Sequence, residues 1–212
     1  EKPAKAKDDL DSLLDSASAP VAIEVAGAAG WATRVWSFLT LGVHHILTGY
    51  DHLVFLAGLI LAACTFRQLL VALTAFTAAH SVSLALVVIA GIRAPSSIVE
   101  PLIALSIADI AVENLVLSEM RPWRVGLVFA FGLLHGLGFA GALRDVGLPR
   151  SEFVTALVGF NAGVELGQLA VISGAFLAVG YWYGGRIWYR RRIVMPASAC
   201  IACMGLFWMV QR

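Results

Sequence analysis

Charge is what this sequence has least of, and the shortage decides its class. Only 14% of the 212 residues are Asp, Glu, Lys or Arg, whereas 59% are hydrophobic. Mean hydropathy is +0.83. A water-soluble domain of this size cannot enclose so much apolar surface, so the composition implies an integral membrane protein. Cysteine is scarce and odd in number: Cys64, Cys200 and Cys203, all in apolar stretches. That excludes a disulfide framework. Cys200-Ile-Ala-Cys203 has the spacing of a redox or soft-metal pair, but it falls inside a late apolar segment, where small helix-packing residues are the preferred reading. The net charge of +1 is neutral on nucleic acid. No basic, aromatic-interleaved patch is present, so no nucleic-acid partner is expected. There is no ATP-binding motif, no clear internal repeat and no visible signal peptide. Residues 1–30 form the one polar stretch: "EKPAKAKDDLDSLLDSASAP" is charged and lacks aromatics, and is expected to be a flexible extramembrane tail left by processing or trimming.

What is there instead is a series of long apolar runs. A spanning helix needs about 20 mostly apolar residues. The runs fall at 34–64, 67–92, 96–118, 125–143, 152–181 and 193–211. They predict an all-α, polytopic transmembrane bundle of about six spans over residues 31–212. Arginine, proline and glycine punctuate the breaks. The first run is too long for one straight span, and Thr48-Gly49-Tyr50 predicts a break near Gly49. Six spans put both termini on one face. The loops opposite the N-terminus hold Arg67, Arg121, Arg124, Arg186, Arg190, Arg191 and Arg192. The excess of positive charge there predicts both termini on the outer side. Trp31, Trp36, Trp123, Tyr181, Trp182, Tyr183, Trp188 and Tyr189 lie near span ends, as aromatic belts do.

Inside these runs lie residues that lipid does not tolerate alone. All five histidines (His44, His45, His52, His80 and His135) are in or at the edge of apolar runs, together with Asp51, Glu100, Asp109, Glu113 and Glu165. An ion such as Asp at bilayer depth costs about 2.5–3.5 kcal/mol on insertion scales. Ten such groups must face one another, water or a cation. His45 and His52 are seven residues apart and share a face, as do His44 and Asp51. In a straight helix seven residues rise about 10.5 Å, too far to share one ion. Either Gly49 breaks the helix and folds the pairs together, or they serve two sites; the break is the preferred reading. Thr77, His80 and Ser83 share a stripe, as do Ser106, Asp109 and Glu113, and Asn161, Glu165 and Gln168. Glycines around His135 and at Gly163 and Gly167 allow close helix approach. Interhelical hydrogen bonding accounts for the hydroxyl and amide members of these stripes. Histidines gathered with carboxylates form the ligand set of a borderline divalent cation. Glu100, beside Pro101, is expected to cap its helix.

Five motifs in order, "GVHHILTGYDHLVFLAGLIL", "FTAAHSVSLAL", "VEPLIALSIADIAVENL", "FGLLHGLGFAGAL" and "FNAGVELGQL", resemble the HupE/UreJ family of bacterial membrane proteins. The resemblance runs from Gly42 to Leu169. It implies a nickel permease of the bacterial inner membrane; the positive-inside count above then corresponds to both termini on the periplasmic side. The family's His-x5-Asp-His motif maps onto His45, Asp51 and His52, which the resemblance makes the first candidates for metal recognition. Its second motif, in the hydrogenase-associated members, is richer in histidine and followed by a glutamate. Here His135 stands without either, which fits a separate branch in which Glu113 and Glu165 substitute. That departure leaves cobalt, zinc and copper beside nickel as the divalent substrate.

The expected function is therefore secondary transport of a divalent transition metal. The expected ligands are His45, Asp51, His52, His80, Glu113, His135, Glu165 and His44. Two alternatives compete: an intramembrane metal-dependent hydrolase, and a metal-binding accessory subunit of a larger membrane complex docked through the tail. Homo-oligomerisation is compatible with either role.

Overall fold

A computed structural model describes residues 31–62, 65–91, 94–117, 121–145, 153–180 and 188–212. The expected tail, Cys64, Arg186 and the aromatics at 181–183 lie outside the described residues. Among the described residues there are seven α-helices and no strand: α1 Trp31–Thr48, α2 Tyr50–Ala62, α3 Phe66–Ala90, α4 Ser96–Val116, α5 Pro122–Asp145, α6 Phe153–Ala175 and α7 Met195–Gln211. π-helical turns extend α6 (Phe176–Gly180) and lead into α7 (Arg190–Val194).

The all-α polytopic bundle is present. Phe66–Val87, Phe153–Val179 and Arg190–Gln211 are each long and apolar enough to cross a membrane. The α1–α2 pair qualifies as one span bent by 72°. Among the described residues, length and composition thus support three spans, or four with the bent pair, against the six expected. α4 falls short because three acids, Glu100, Asp109 and Glu113, occupy its 21 residues. In α5 side chains are described only as far as Gly138.

Local chemistry sets the helix ends. At the start of α3 a capping box closes: the Gln68 N–H donates to Thr65 Oγ1 and the Thr65 N–H donates to Gln68 Oε1. Gly91 ends α3 at φ 68°, where a side chain would be strained. α4 begins at Ser96, with no side-chain cap. Glu100 is therefore an exposed residue of the second turn and not the expected cap. The α1–α2 break falls at Gly49. A Cβ there would stand 2.7 Å from the His45 carbonyl oxygen and 2.9 Å from His52 Nδ1, so only glycine fits the bend.

Packing joins the helices in pairs. α3 lies along α5: Gly132 faces Phe76 and Ala79, and Gly136 faces His80 and Ser83. Both sets of numbers rise together, so the two helices run parallel. α1 lies along α6 in the same way, with Gly159 on Phe38, Gly163 on Leu39 and Gly42, and Gly167 on Ile46. At Gly163 the helix backbones touch, and a Cβ would collide with the Leu39 carbonyl. This is the small-residue packing that lets helices associate where lipid removes the hydrophobic drive. α4 pairs with α7, where Gly205 meets Ala104 and Ala108. The core between the pairs holds Phe55, Leu59, Phe76, Ile107, Val128 and Ile172.

Cys200 and Cys203 do not pack inward. The buried face of α7 is Ser198, Ile201, Ala202 and Gly205, and both thiols are free and exposed. Neighbouring small residues took the helix contact that the sequence had suggested for them. Trp31, Trp36 and Trp123 are exposed near helix ends, in keeping with an aromatic belt.

Candidate metal centre

The 72° bend at Gly49 folds His52 back toward His45. Their ring centroids are 4.5 Å apart. His80, near the middle of α3, closes the group, with its ring 6.1 Å from His45 and 6.3 Å from His52. One ligand nitrogen from each of the three lies within 4.8 Å of the others. Ligands at about 2 Å from one ion lie within about 4 Å of each other, so small side-chain rotations suffice to converge them. His135 of α5 stands beside the group, 5.2 Å from His52 by ring centroids. His80 and His135 are fully buried.

The lone pairs are prepared for a ligand. His135 Nδ1 lies 2.9 Å from the Phe131 carbonyl oxygen. A carbonyl can only accept, so Nδ1 carries the proton and Nε2 keeps its lone pair. A carbonyl on the outer nitrogen is the usual second partner of a metal-binding histidine. Nε2 of His135 and Nε2 of His52 are both buried with no hydrogen-bond partner among the described residues. Burying such nitrogens without a partner is costly, which is an argument for something that binds there.

Aromatic rings wall the group. His80 lies between Phe76 and Phe160, nearly parallel to both, at 6.3 and 6.2 Å. Phe55 lies 5.1 Å from His135. Below His52 is a cavity of about 10 Å³, lined by Phe55, Leu59, Phe76 and Gln168. It has room for roughly one water. Gln168 accepts a hydrogen bond from Thr77 Oγ1 at 3.0 Å, the interhelical bonding expected of that stripe.

The expected carboxylates are engaged by other partners. Asp51 is held by Arg212 through two hydrogen bonds: Nη1 donates to Oδ2 at 2.9 Å and Nη2 to Oδ1 at 3.0 Å. The Arg212 guanidinium also lies 5.3 Å from the Trp208 ring. Glu113 is paired with Arg124, Nε to Oε2 at 2.7 Å. Arg124, read in the sequence as a loop charge, is an α5 residue only 1% exposed. Its Nη2 donates to Asn114 Oδ1 at 2.8 Å, and Asn114 Nδ2 donates to the Gly58 carbonyl at 2.8 Å. Glu165 accepts a hydrogen bond from the exposed Thr74 on the outer side of the α3–α6 contact. His44 is exposed on α1, with Nδ1 3.5 Å from Thr48 Oγ1. Of the eight sequence candidates, the structure gathers His45, His52, His80 and His135. It holds Asp51 beside the group, within electrostatic reach of His135 but bound to Arg212, and turns Glu113, Glu165 and His44 to other partners.

Sequence reading missed the aromatic walls and Arg212. Phe76 precedes His80 by four residues, the spacing of one helix face, and that signal was available. Trp208 and Arg212 repeat it at the end of α7.

A family model described as HupE / UreJ protein matches residues 22–212. The match covers nearly the whole chain and extends beyond the Gly42–Leu169 motifs to α7. No curated protein and no solved structure matches significantly. The chain belongs to the HupE/UreJ family.

Proposed function

We propose, with that family membership as the premise, that this chain carries a divalent transition metal across the bacterial inner membrane, nickel first among the ions. The observation that carries the reading is the histidine trio from α1, α2 and α3, with ligand nitrogens within 4.8 Å of one another. Imidazole donors without a carboxylate among them suit borderline ions such as nickel, cobalt, copper and zinc, and disfavour magnesium and calcium. His45, His52 and His80 hold the ion, and His135 offers a fourth nitrogen. Protonated imidazole cannot coordinate, so acid competes with the metal and provides a route of release. The excess of arginine at the N-terminal ends of α3, α5 and α7 supports a cytoplasmic position for that face by the positive-inside rule, with both termini in the periplasm. Arg212 and Asp51 then lie toward the periplasmic side. Asp51 acts as a receiving carboxylate once an arriving cation displaces the guanidinium.

The test is flux into liposomes carrying the purified protein, with nickel, cobalt, zinc, copper and manganese offered separately. Saturable nickel uptake is expected, reduced by at least about tenfold in His52→Ala, equivalent to about 1.4 kcal/mol. A folded protein that binds nickel but moves no ion would rule out transport.

A further inference from the structure

At the arginine-rich face, away from the histidines, is a second cavity. It has a volume of about 340 Å³ and is lined by Thr65, the N-cap of α3, by Arg67, Gln68 and Val71 of α3, and by Arg121 and Val125 beside and within α5. That size is within the range of ligand sites. We propose that it binds the phosphate headgroup of an anionic glycerophospholipid.

Three features converge on this ligand. First, α3 and α5 run parallel, so both present their N-terminal, partially positive ends at the same opening. The capping box at Thr65 and Gln68 occupies two donors, and the N–H groups of Phe66 and Arg67 have no partner within the helix. Second, Arg67 and Arg121 stand on opposite sides of the cavity, both exposed, with no ion-pair partner among the described residues. Planar guanidinium groups match phosphate oxygens bidentately. Third, aromatics of the kind that sit at a membrane interface flank the opening. Phe66 is 43% and Trp123 52% exposed in the first turns of the same two helices, the position of a membrane-interface aromatic. Val71 on one wall and Phe129, one turn beyond Val125 on the other, are also exposed. They continue the site as an apolar track down the bundle. A free phosphate ion would use the arginines and leave that track bare, whereas a phospholipid uses both. Basic pockets between spanning helices bind anionic headgroups by these contacts.

The experiment compares the purified protein in neutral detergent with added phosphatidylglycerol, with phosphatidylcholine of the same acyl chains, and with inorganic phosphate alone. The readouts are native mass spectra of retained lipid and the unfolding temperature. Phosphatidylglycerol should be retained and should raise the unfolding temperature; the other two should do neither. Arg67→Gln with Arg121→Gln should lower phosphatidylglycerol retention by about tenfold, since each basic residue at an anionic surface contributes modestly. Arg191→Gln with Arg192→Gln, exposed on the same face but outside the cavity, should leave it unchanged. Equal retention of the two lipids, or no loss in the Arg67/Arg121 variant, would overturn the site. Equal stabilisation by inorganic phosphate would overturn the lipid assignment. The comparison of lipids on the unaltered protein does not depend on any variant folding, and neither readout depends on metal transport.

Discussion

Two polar regions are buried in this bundle, and they are built on opposite plans. Around Arg124 the groups are mated on the chain: the guanidinium with Glu113 and Asn114, and the Asn114 amide with the Gly58 carbonyl. The network joins α2, α4 and α5 and closes on itself. Around His52 the ligand nitrogens are turned toward one another, and Nε2 of His52 and of His135 has no partner among the described residues. A closed network secures helices; an open one needs a visitor. Residue types alone do not separate the two plans, since both combine ionisable groups at helical spacing. What separates them is whether the partners are already on the chain.

Breaking the closed network should have the largest effect on stability. Arg124→Met leaves Glu113 without its partner, and removing one side of a buried pair costs about 3–5 kcal/mol. Thermal unfolding in detergent should show that loss, whereas nickel affinity of the folded fraction should stay within about threefold, or 0.6 kcal/mol. A nickel-binding loss matching that of His52→Ala would mean the two regions act as one site. Next, Gly49→Ala forces a methyl group against the His45 carbonyl and the His52 ring. Overpacking of this kind costs about 1–3 kcal/mol. Because the displaced atoms belong to the ligands, the variant should lose metal affinity measured by titration out of proportion to its change in unfolding temperature. The smallest effect belongs to Arg212→Gln. Its pair with Asp51 is a quarter exposed on both sides, so stability should shift by no more than about 1 kcal/mol. Freeing the carboxylate should instead change the rate at which nickel binds, read by stopped-flow quenching of the nearby Trp208. An unchanged rate would leave Asp51 with a purely structural role.

Much of this architecture was legible in the residues. The break at Gly49 followed from arithmetic, because a straight helix keeps His45 and His52 too far apart for one ion. The convergence of His80 and His135 followed from the cost of isolated imidazoles in lipid and from the glycines that bring α3 against α5. The fates of the acids did not follow. Asp51 is matched by a residue 161 positions away, and no local pattern announces such a contact. Glu113 and Arg124 are close in the chain, but an arginine after Arg121-Pro122-Trp123 reads as part of a loop until α5 is seen to begin at Pro122. The thiols of α7 misled for a related reason: periodicity defines the faces of a helix without saying which one turns inward when every face is apolar.

The bend at Gly49 has a thermodynamic consequence. The trio exists only while α1 and α2 meet at a sharp angle, because straightening them would draw His45 and His52 roughly 10.5 Å apart along the axis. An ion that binds the bent form and not the straight one adds RT ln(1 + [ion]/Kd) to the stability of the bend. Occupancy and angle are then one linked equilibrium. Whatever straightens the helix lowers the affinity for metal, and metal in turn resists straightening by the same free energy.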